Sequence, residues 1–287
     1  MKKFAGFTDE VSHEIEAQIA VTKELGWSGI EARMVTQNGK SVHFDDVDES
    51  TFLDIKDKLD TAGIQIISYG SQIANWSRKV TSDFKLDTDE LKRIIPRMQK
   101  TGTKLVRIMS YPNDGLPESD FRKEVLRRMK VMAKMAEDGG IILAHENCSG
   151  YGALGARETL DMLGETNSPA LKLIFDMGNC SAYGLNAWDF YQGVKTHVVH
   201  IHIKDYRKDP TATDGHSACF PGEGDDFVAK IVADAKRSGY SGWFSIEPHI
   251  AAVAHEGKQT DGADKSKEIF LKYGRMFEAI YSLPLLS

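Results

Sequence analysis

Two hydrophobic rhythms alternate along this chain: short unbroken apolar runs, and longer stretches in which apolar residues return every three or four positions. The unbroken runs predict strands near residues 3–7, 28–32, 64–69, 104–109, 141–146, 171–176, 198–203 and 243–247. The returning pattern keeps one helical face apolar and predicts helices near 12–25, 48–61, 88–100, 119–137, 156–164, 187–196, 225–238 and 264–281. Ile15, Ile19 and Leu25 form such a face on the first helix, and Phe227, Ile231 and Ala235 on the seventh. Pro96 falls inside the third and predicts a kink there or a nearer boundary.

A glycine stands between helix and strand at five junctions: Gly26, Gly63, Gly102, Gly139 and Gly239. Glycine just past a helix takes the left-handed conformation that ends it, and the chain re-enters as a strand. Repeated helix–Gly–strand units predict a parallel sheet. Eight strand–helix pairs in 287 residues match an α/β fold of the closed kind, a (β/α)8 TIM barrel spanning 1–287 as a single domain. A doubly wound open sheet is the competing reading. Its phosphate turn would need glycines after the first strand, where this chain has FTDEVS.

Four of the apolar runs close on a residue able to ligate a metal: IILAHE at Glu146, LKLIFD at Asp176, VVHIH at His202 and GWFSIE at Glu247. Barrel strands point their C-terminal ends at one mouth, so these side chains are expected to meet there. Three carboxylates and an imidazole suit one divalent metal ion, with Mn²⁺ or Mg²⁺ favoured and Co²⁺ or Zn²⁺ also compatible. Any one of them alone reads equally well as a solvated residue at the start of a loop. Four on consecutive strands read as a site. The HIH tripeptide is taken to send His200 and His202 to opposite faces, His202 as ligand and His200 as a core or helix-facing residue; His145 is likewise taken to point away from Glu146.

Other polar residues interrupt the pattern. Arg107 lies within the apolar run KLVRIMS, where a charge is tolerated when it is paired or reaches the mouth; contact with the substrate or support of a residue that holds the metal is favoured over a plain salt bridge. Glu31 and Arg33 alternate onto one side and either pair with neighbours or line the mouth. Lys204 is balanced between neutralising a substrate oxyanion and pairing with Asp205. Asp9 and Glu10 are read as polar contacts, and Glu223 in PGEG as part of a tight turn.

A net charge of −6 argues against a nucleic-acid partner, which calls for a basic face. No stretch approaches the roughly 18 apolar residues of a membrane span, and MKKFAGFTDEV lacks the apolar core of a signal peptide. Cys148, Cys180 and Cys219 are odd in number and widely spaced, which predicts no disulfide framework and a cytoplasmic location. A homo-oligomer is left open.

The set HEN at 145–147, FDMGN at 175–179, HIHIKD at 200–205, PGEG at 221–224 and SIEPH at 245–249 resembles the xylose-isomerase-like TIM-barrel superfamily, which includes sugar-phosphate isomerases/epimerases, ketose 3-epimerases, inosose dehydratase and endonuclease IV. The resemblance is specific within 141–250 and matches elsewhere only in the order of elements. It implies a metal held by Glu146, Asp176, His202 and Glu247, with Glu146 and Glu247 as the catalytic acid/base pair on opposite faces of a sugar carbon. A cation chelating carbonyl and hydroxyl would acidify the adjoining C–H through an enediolate. One carboxylate would remove the proton and the other return it. The ketose epimerases carry His three residues after the ligand Asp; this chain has Asn179, which can hydrogen-bond a substrate but carries no proton. Arg207 is the approximate counterpart of the family's substrate-binding Arg, and Trp76 and Tyr69 offer an apolar wall for a sugar ring or fill the core. The expected activity is therefore metal-dependent isomerisation or epimerisation of a small sugar or polyol ketone. An inosose-type dehydratase is the alternative on the same barrel, and a non-catalytic sugar-binding barrel the alternative in kind. An endonuclease needs three metals and more histidines on early strands; Asp214 and His216 in TDGHS match part of its pattern and do not suffice.

Overall fold

The computed structural model describes residues 2–212, 215–253, 258–259 and 263–285; Asp214 lies outside them. Eight barrel strands run β1 (Phe4–Gly6), β2 (Gly29–Ala32), β3 (Gln65–Gly70), β4 (Leu105–Ser110), β5 (Ile142–Gly150), β6 (Leu171–Asp176), β7 (Val198–Ile203) and β8 (Trp243–Ile246). Every ladder between them is parallel, in the order β1–β8–β7–β6–β5–β4–β3–β2. β1 and β2 meet across the remaining seam without a ladder, so the barrel is nearly closed.

Helices α1 (Ile15–Leu25), α2 (Glu49–Ala62), α3 (Lys85–Thr101), α4 (Glu118–Gly139), α5 (Ala156–Thr166), α6 (Ala187–Val194), α7 (Val228–Arg237) and α8 (Ala263–Ser282) return the chain outside the barrel. Their apolar faces and the outward faces of the strands form two buried clusters. One centres on Phe52, Ile94, Met129 and Leu143, the other on Phe4, Phe175, Ile231 and Phe277. The left-handed helix stops fall at Gly26, Gly63 and Gly102 as expected. After α4 the stop is Gly140 rather than Gly139, which is the helix's last residue. Asn167 serves after α5 at φ 47°. α3 continues through Pro96, and α7 begins at Val228 rather than 225 because the preceding residues belong to a mouth loop.

Short antiparallel pairs decorate the C-terminal face: Met34–Gln37 with Lys40–His43 after β2, Tyr206–Lys208 with His216–Ala218 after β7, and Ala252–Val253 with Lys258–Gln259 after β8. Among the described residues no helix is long and apolar enough to cross a membrane, and the three cysteines are free thiols.

Candidate active site

Register gathers the polar side chains. Asp176 of β6 lies beside His202 of β7, His202 beside Ser245 of β8, and Glu146 of β5 beside Ile174, two residues before Asp176. Because alternate strand residues share a face, Glu146, Asp176, His202 and Glu247 all turn into the barrel at its C-terminal end. One ligand atom from each lies within 4.8 Å of the others. Asp176 and His202 are fully buried, and Glu146 and Glu247 line a cavity of 290 Å³ above them. Arg107, Asn179, Lys204, Tyr206, His249 and Trp76 also border that cavity.

The same alternation corrects one expectation. His200 and His202 are two residues apart and share the inward face; their rings lie 5.0 Å apart. Each Nε2 is 2.9 Å from Glu31 Oε1. His200 Nε2 hydrogen-bonds to that oxygen while His202 Nε2 makes a charge contact with it, and His202 Nδ1 faces Glu146 Oε1 at 3.3 Å and Asp176 Oδ2 at 3.6 Å. A carboxylate behind a histidine is what orients an imidazole for metal binding. Glu31 was legible in the sequence only as an acid that pairs with neighbours or lines the mouth; its place beside both histidines required the register of strands distant in sequence. His145 does point outward, with Nε2 3.0 Å from Ser110 Oγ.

The cations are equally well placed. Arg33 binds Asp9 through Nε at 2.7 Å and Nη2 at 2.9 Å, and reaches Glu247 Oε1 through Nη1 at 2.7 Å. Its guanidinium also lies 4.2 Å from the Phe7 ring centroid. Arg107 Nη1 is 3.4 Å from Glu146 Oε2. Lys204 Nζ bridges Glu247 Oε2 at 2.5 Å and Asp176 Oδ2 at 3.2 Å, and thus does not pair with Asp205. Asp205 instead accepts backbone N–H groups from Gly222, Gly224 and Asp226 at 2.8, 3.0 and 3.2 Å, pinning the PGEG loop to the mouth. Asn179 donates from Nδ2 to Glu146 Oε1 at 3.0 Å. His249, not singled out in the sequence, sits with Nε2 3.2 Å from Glu247 Oε1. Arg207 is exposed on its hairpin and does not border the cavity; Tyr69 is buried in the core against Phe44. Glu223 is exposed, as a turn residue would be.

Asp9, Glu10, Glu31, Glu146, Asp176 and Glu247 face Arg33, Arg107 and Lys204, all of them buried. Burial opposes ionisation of Glu146, but Arg107 and His202 outweigh it and hold the carboxyl at about 2. Burial likewise opposes the charge on Glu247, and Lys204, His249 and Arg33 keep it well below the usual range. Glu10 goes the other way, pushed up by burial and by Glu247. For His202, burial disfavours charge, yet Glu31 and hydrogen bonds to Asp176 and Glu146 raise it well above an ordinary histidine. That field favours positive charge where Nδ1 meets the carboxylates. Glu146 Oε2 and Asp176 Oδ2 are buried without a hydrogen-bond donor, their nearest cations being ion pairs at 3.4 and 3.2 Å. Oxygen donors lacking a hydrogen bond, a correctly presented imidazole nitrogen and surplus negative charge fit a divalent cation.

The family model of the xylose isomerase-like TIM barrel matches residues 19–273. The chain belongs to that family. No curated protein matches it. Among solved structures it is similar to the probable 3-DHS dehydratase AsbF involved in petrobactin synthesis from Bacillus anthracis, at 15% identity and a TM-score of 0.73 over 97% of this chain and 99% of that one. A xylose isomerase-like barrel from Mycobacterium smegmatis in complex with magnesium is 16% identical, TM-score 0.69, over 98% of each chain. The 3-keto-D-glucoside 4-epimerase YcjR from E. coli is 15% identical, TM-score 0.68, over 96% of this chain and 100% of that one. At such identities these likenesses speak to the fold.

Proposed function

We propose that this chain is a divalent-metal-dependent isomerase or epimerase of a sugar or sugar-like polyol ketone, working by proton abstraction beside the carbonyl. One observation carries the reading: Glu146 and Glu247 border a single cavity directly above Asp176 and His202. Glu146, Asp176, Glu247 and His202 Nδ1 would hold the ion. A bound divalent cation would polarise the substrate carbonyl and acidify the C–H next to it. Glu247 then accepts that proton, and Glu146, with two strands between them in the sheet order, relays one from solvent to the other side. Lys204 has a double part. While bound to Glu247 it makes that carboxylate a weak base; moving Nζ onto the substrate's developing oxyanion frees Glu247 Oε2, with Oε1 still held by Arg33, and neutralises the new charge. Arg107 and Asn179 hold Glu146 in place through their contacts at 3.4 and 3.0 Å. Trp76 covers the cavity rim.

His249 favours dehydration of a β-hydroxy ketone as the second reading. The proton that Glu247 takes from carbon can pass over the 3.2 Å to His249, whose imidazole then delivers it to a departing hydroxyl, a step that epimerisation lacks. Incubating a panel of ketoses, ketoglycosides and inositol-derived ketones in D₂O with Mn²⁺ separates these outcomes. Deuterium in a product of unchanged composition supports epimerisation or isomerisation, and a product lighter by one water supports dehydration. No exchange with any of them counts against both and favours a sugar-binding barrel.

A further inference from the structure

Beside the 290 Å³ cavity lies a second one of 570 Å³, and the two share Ser149 and Tyr183 as a common wall. Tyr183 is fixed there by its hydroxyl, which donates to the Cys148 carbonyl at 2.9 Å. The rest of the second cavity is mainly Pro112, Leu116, Phe121 and Leu154, and among the described residues its sole charged lining group is Glu118. Leu154, one of these lining residues, is 49% exposed. Gly150 keeps this wall close: a Cβ there would stand 2.3 Å from the Ser110 backbone.

We propose that this annex is a subsite for an apolar aglycone, so that the substrate is a glycoside or similarly substituted ketone rather than a free monosaccharide. The proposal rests on the reading of the first cavity as the catalytic one. A space of 290 Å³ lies at the small end for ligand pockets and suits one sugar ring. The adjoining space, which shares Ser149 and Tyr183 with it, would take whatever that ring carries. Its surface is apolar, and Glu118 disfavours a phosphate or carboxylate tail; the Arg and Lys residues that would bind one lie in the first cavity instead. A second copy of the chain could also cover an exposed leucine, but a concavity sharing Ser149 and Tyr183 with the candidate reaction centre suits a group joined to the reacting ring.

The test pairs methyl with phenyl glycosides of α- and β-D-glucopyranose and D-galactopyranose as probes, with Kd measured by calorimetry on the Mn²⁺-supplied protein and on Leu154→Ser and Leu116→Ser. We expect at least one phenyl member to bind about tenfold or more tighter than its methyl partner, from burial of the ring, with the preference reduced in both variants at unchanged melting temperature. Equal binding within every pair, binding of none, or a preference untouched by both substitutions overturns the subsite. So does a wild-type oligomer that Leu154→Ser converts to monomers, since the partner copy then covers the annex. Deuterium exchange on unsubstituted ketoses tests the parent reading separately: exchange without a phenyl preference removes the annex alone.

Discussion

At the level of single residues, the strand ends were the most legible part of the site. A buried strand has no reason to finish in a carboxylate, so Glu146, Asp176 and Glu247 stood out from composition and position alone, and the model gathers them with His202. What escaped the sequence were partners made by register: Glu31 behind His200 and His202, Lys204 between Asp176 and Glu247, and His249 beside Glu247. The placing of His200 outward was an error of period, because residues two apart on a strand share a face. Glu31 carries a direct consequence. Glu31→Gln keeps an acceptor oxygen beside the two imidazoles but loses the charge, and is expected to weaken Mn²⁺ binding about tenfold, as outer-shell changes do, measured by electron paramagnetic resonance titration. Equal affinity would mean that Glu31 serves packing alone. The two carboxylate roles divide similarly. Glu247→Gln is expected to abolish solvent exchange on a turned-over substrate, whereas Asp176→Asn raises the metal concentration needed and leaves exchange at saturation. Near-normal exchange by Glu247→Gln would assign the base elsewhere.

Elements were legible where their signals are local. Helices ended by glycine and strands of unbroken apolar residues can be read from neighbouring positions, and all eight pairs appear near their expected places. The mouth hairpins were missed. One had a signal: Asn38 and Gly39 sit at φ 52° and 72°, both left-handed, as a two-residue hairpin turn favours. Among the described residues the hairpin at 206–218 shows no such pair of left-handed residues, and the loop after it is held by Asp205 from a distance. That loop makes a testable element. A Cβ on Gly224 would lie 2.2 Å from Asp205 Oδ1 and 2.5 Å from the Tyr206 carbonyl. Gly224→Ala is therefore expected to lower stability by about 1–3 kcal/mol in denaturant unfolding, the usual range for overpacking; no change would show the loop free to move. Asp226 in the same loop accepts from Ser181 Oγ and the Tyr206 amide at 2.7 and 2.8 Å. Burial chiefly, with Asp205 and Asp176, raises it from 3.8 to about 7. A raised acid binds its proton more tightly folded than unfolded, so its contribution to stability is greatest below pH 4 and is lost as pH climbs to about 7. Asp226→Asn should flatten that part of the stability–pH curve; an unchanged slope would contradict the assignment.

For the molecule as a whole, the closed parallel arrangement followed from counting units, since eight βα repeats have few ways to bury both faces of every strand. The barrel's interior was less legible, because its polar layer of Glu31, Ser68, His200 and Ser245 depends on which strands become neighbours. On the proposed reading, the carboxylates crowded at one end hold a cation in the native state that the unfolded chain does not. Mn²⁺ at about a hundred times its Kd should therefore stabilise the fold by about 2.7 kcal/mol, seen as a melting temperature several degrees higher that a chelator reverses. Ca²⁺, Mg²⁺ and Mn²⁺ without effect would indicate that Lys204 and Arg107 already balance the site.

The most direct measurement is a crystal grown with Mn²⁺ and examined by anomalous scattering at the manganese edge. A single peak bonded to oxygens of Glu146, Asp176 and Glu247 and to Nδ1 of His202, with Lys204 Nζ displaced towards the cavity, is the expected result. Manganese absent from that point at saturating concentration, with Lys204 still bridging Asp176 and Glu247, would contradict it.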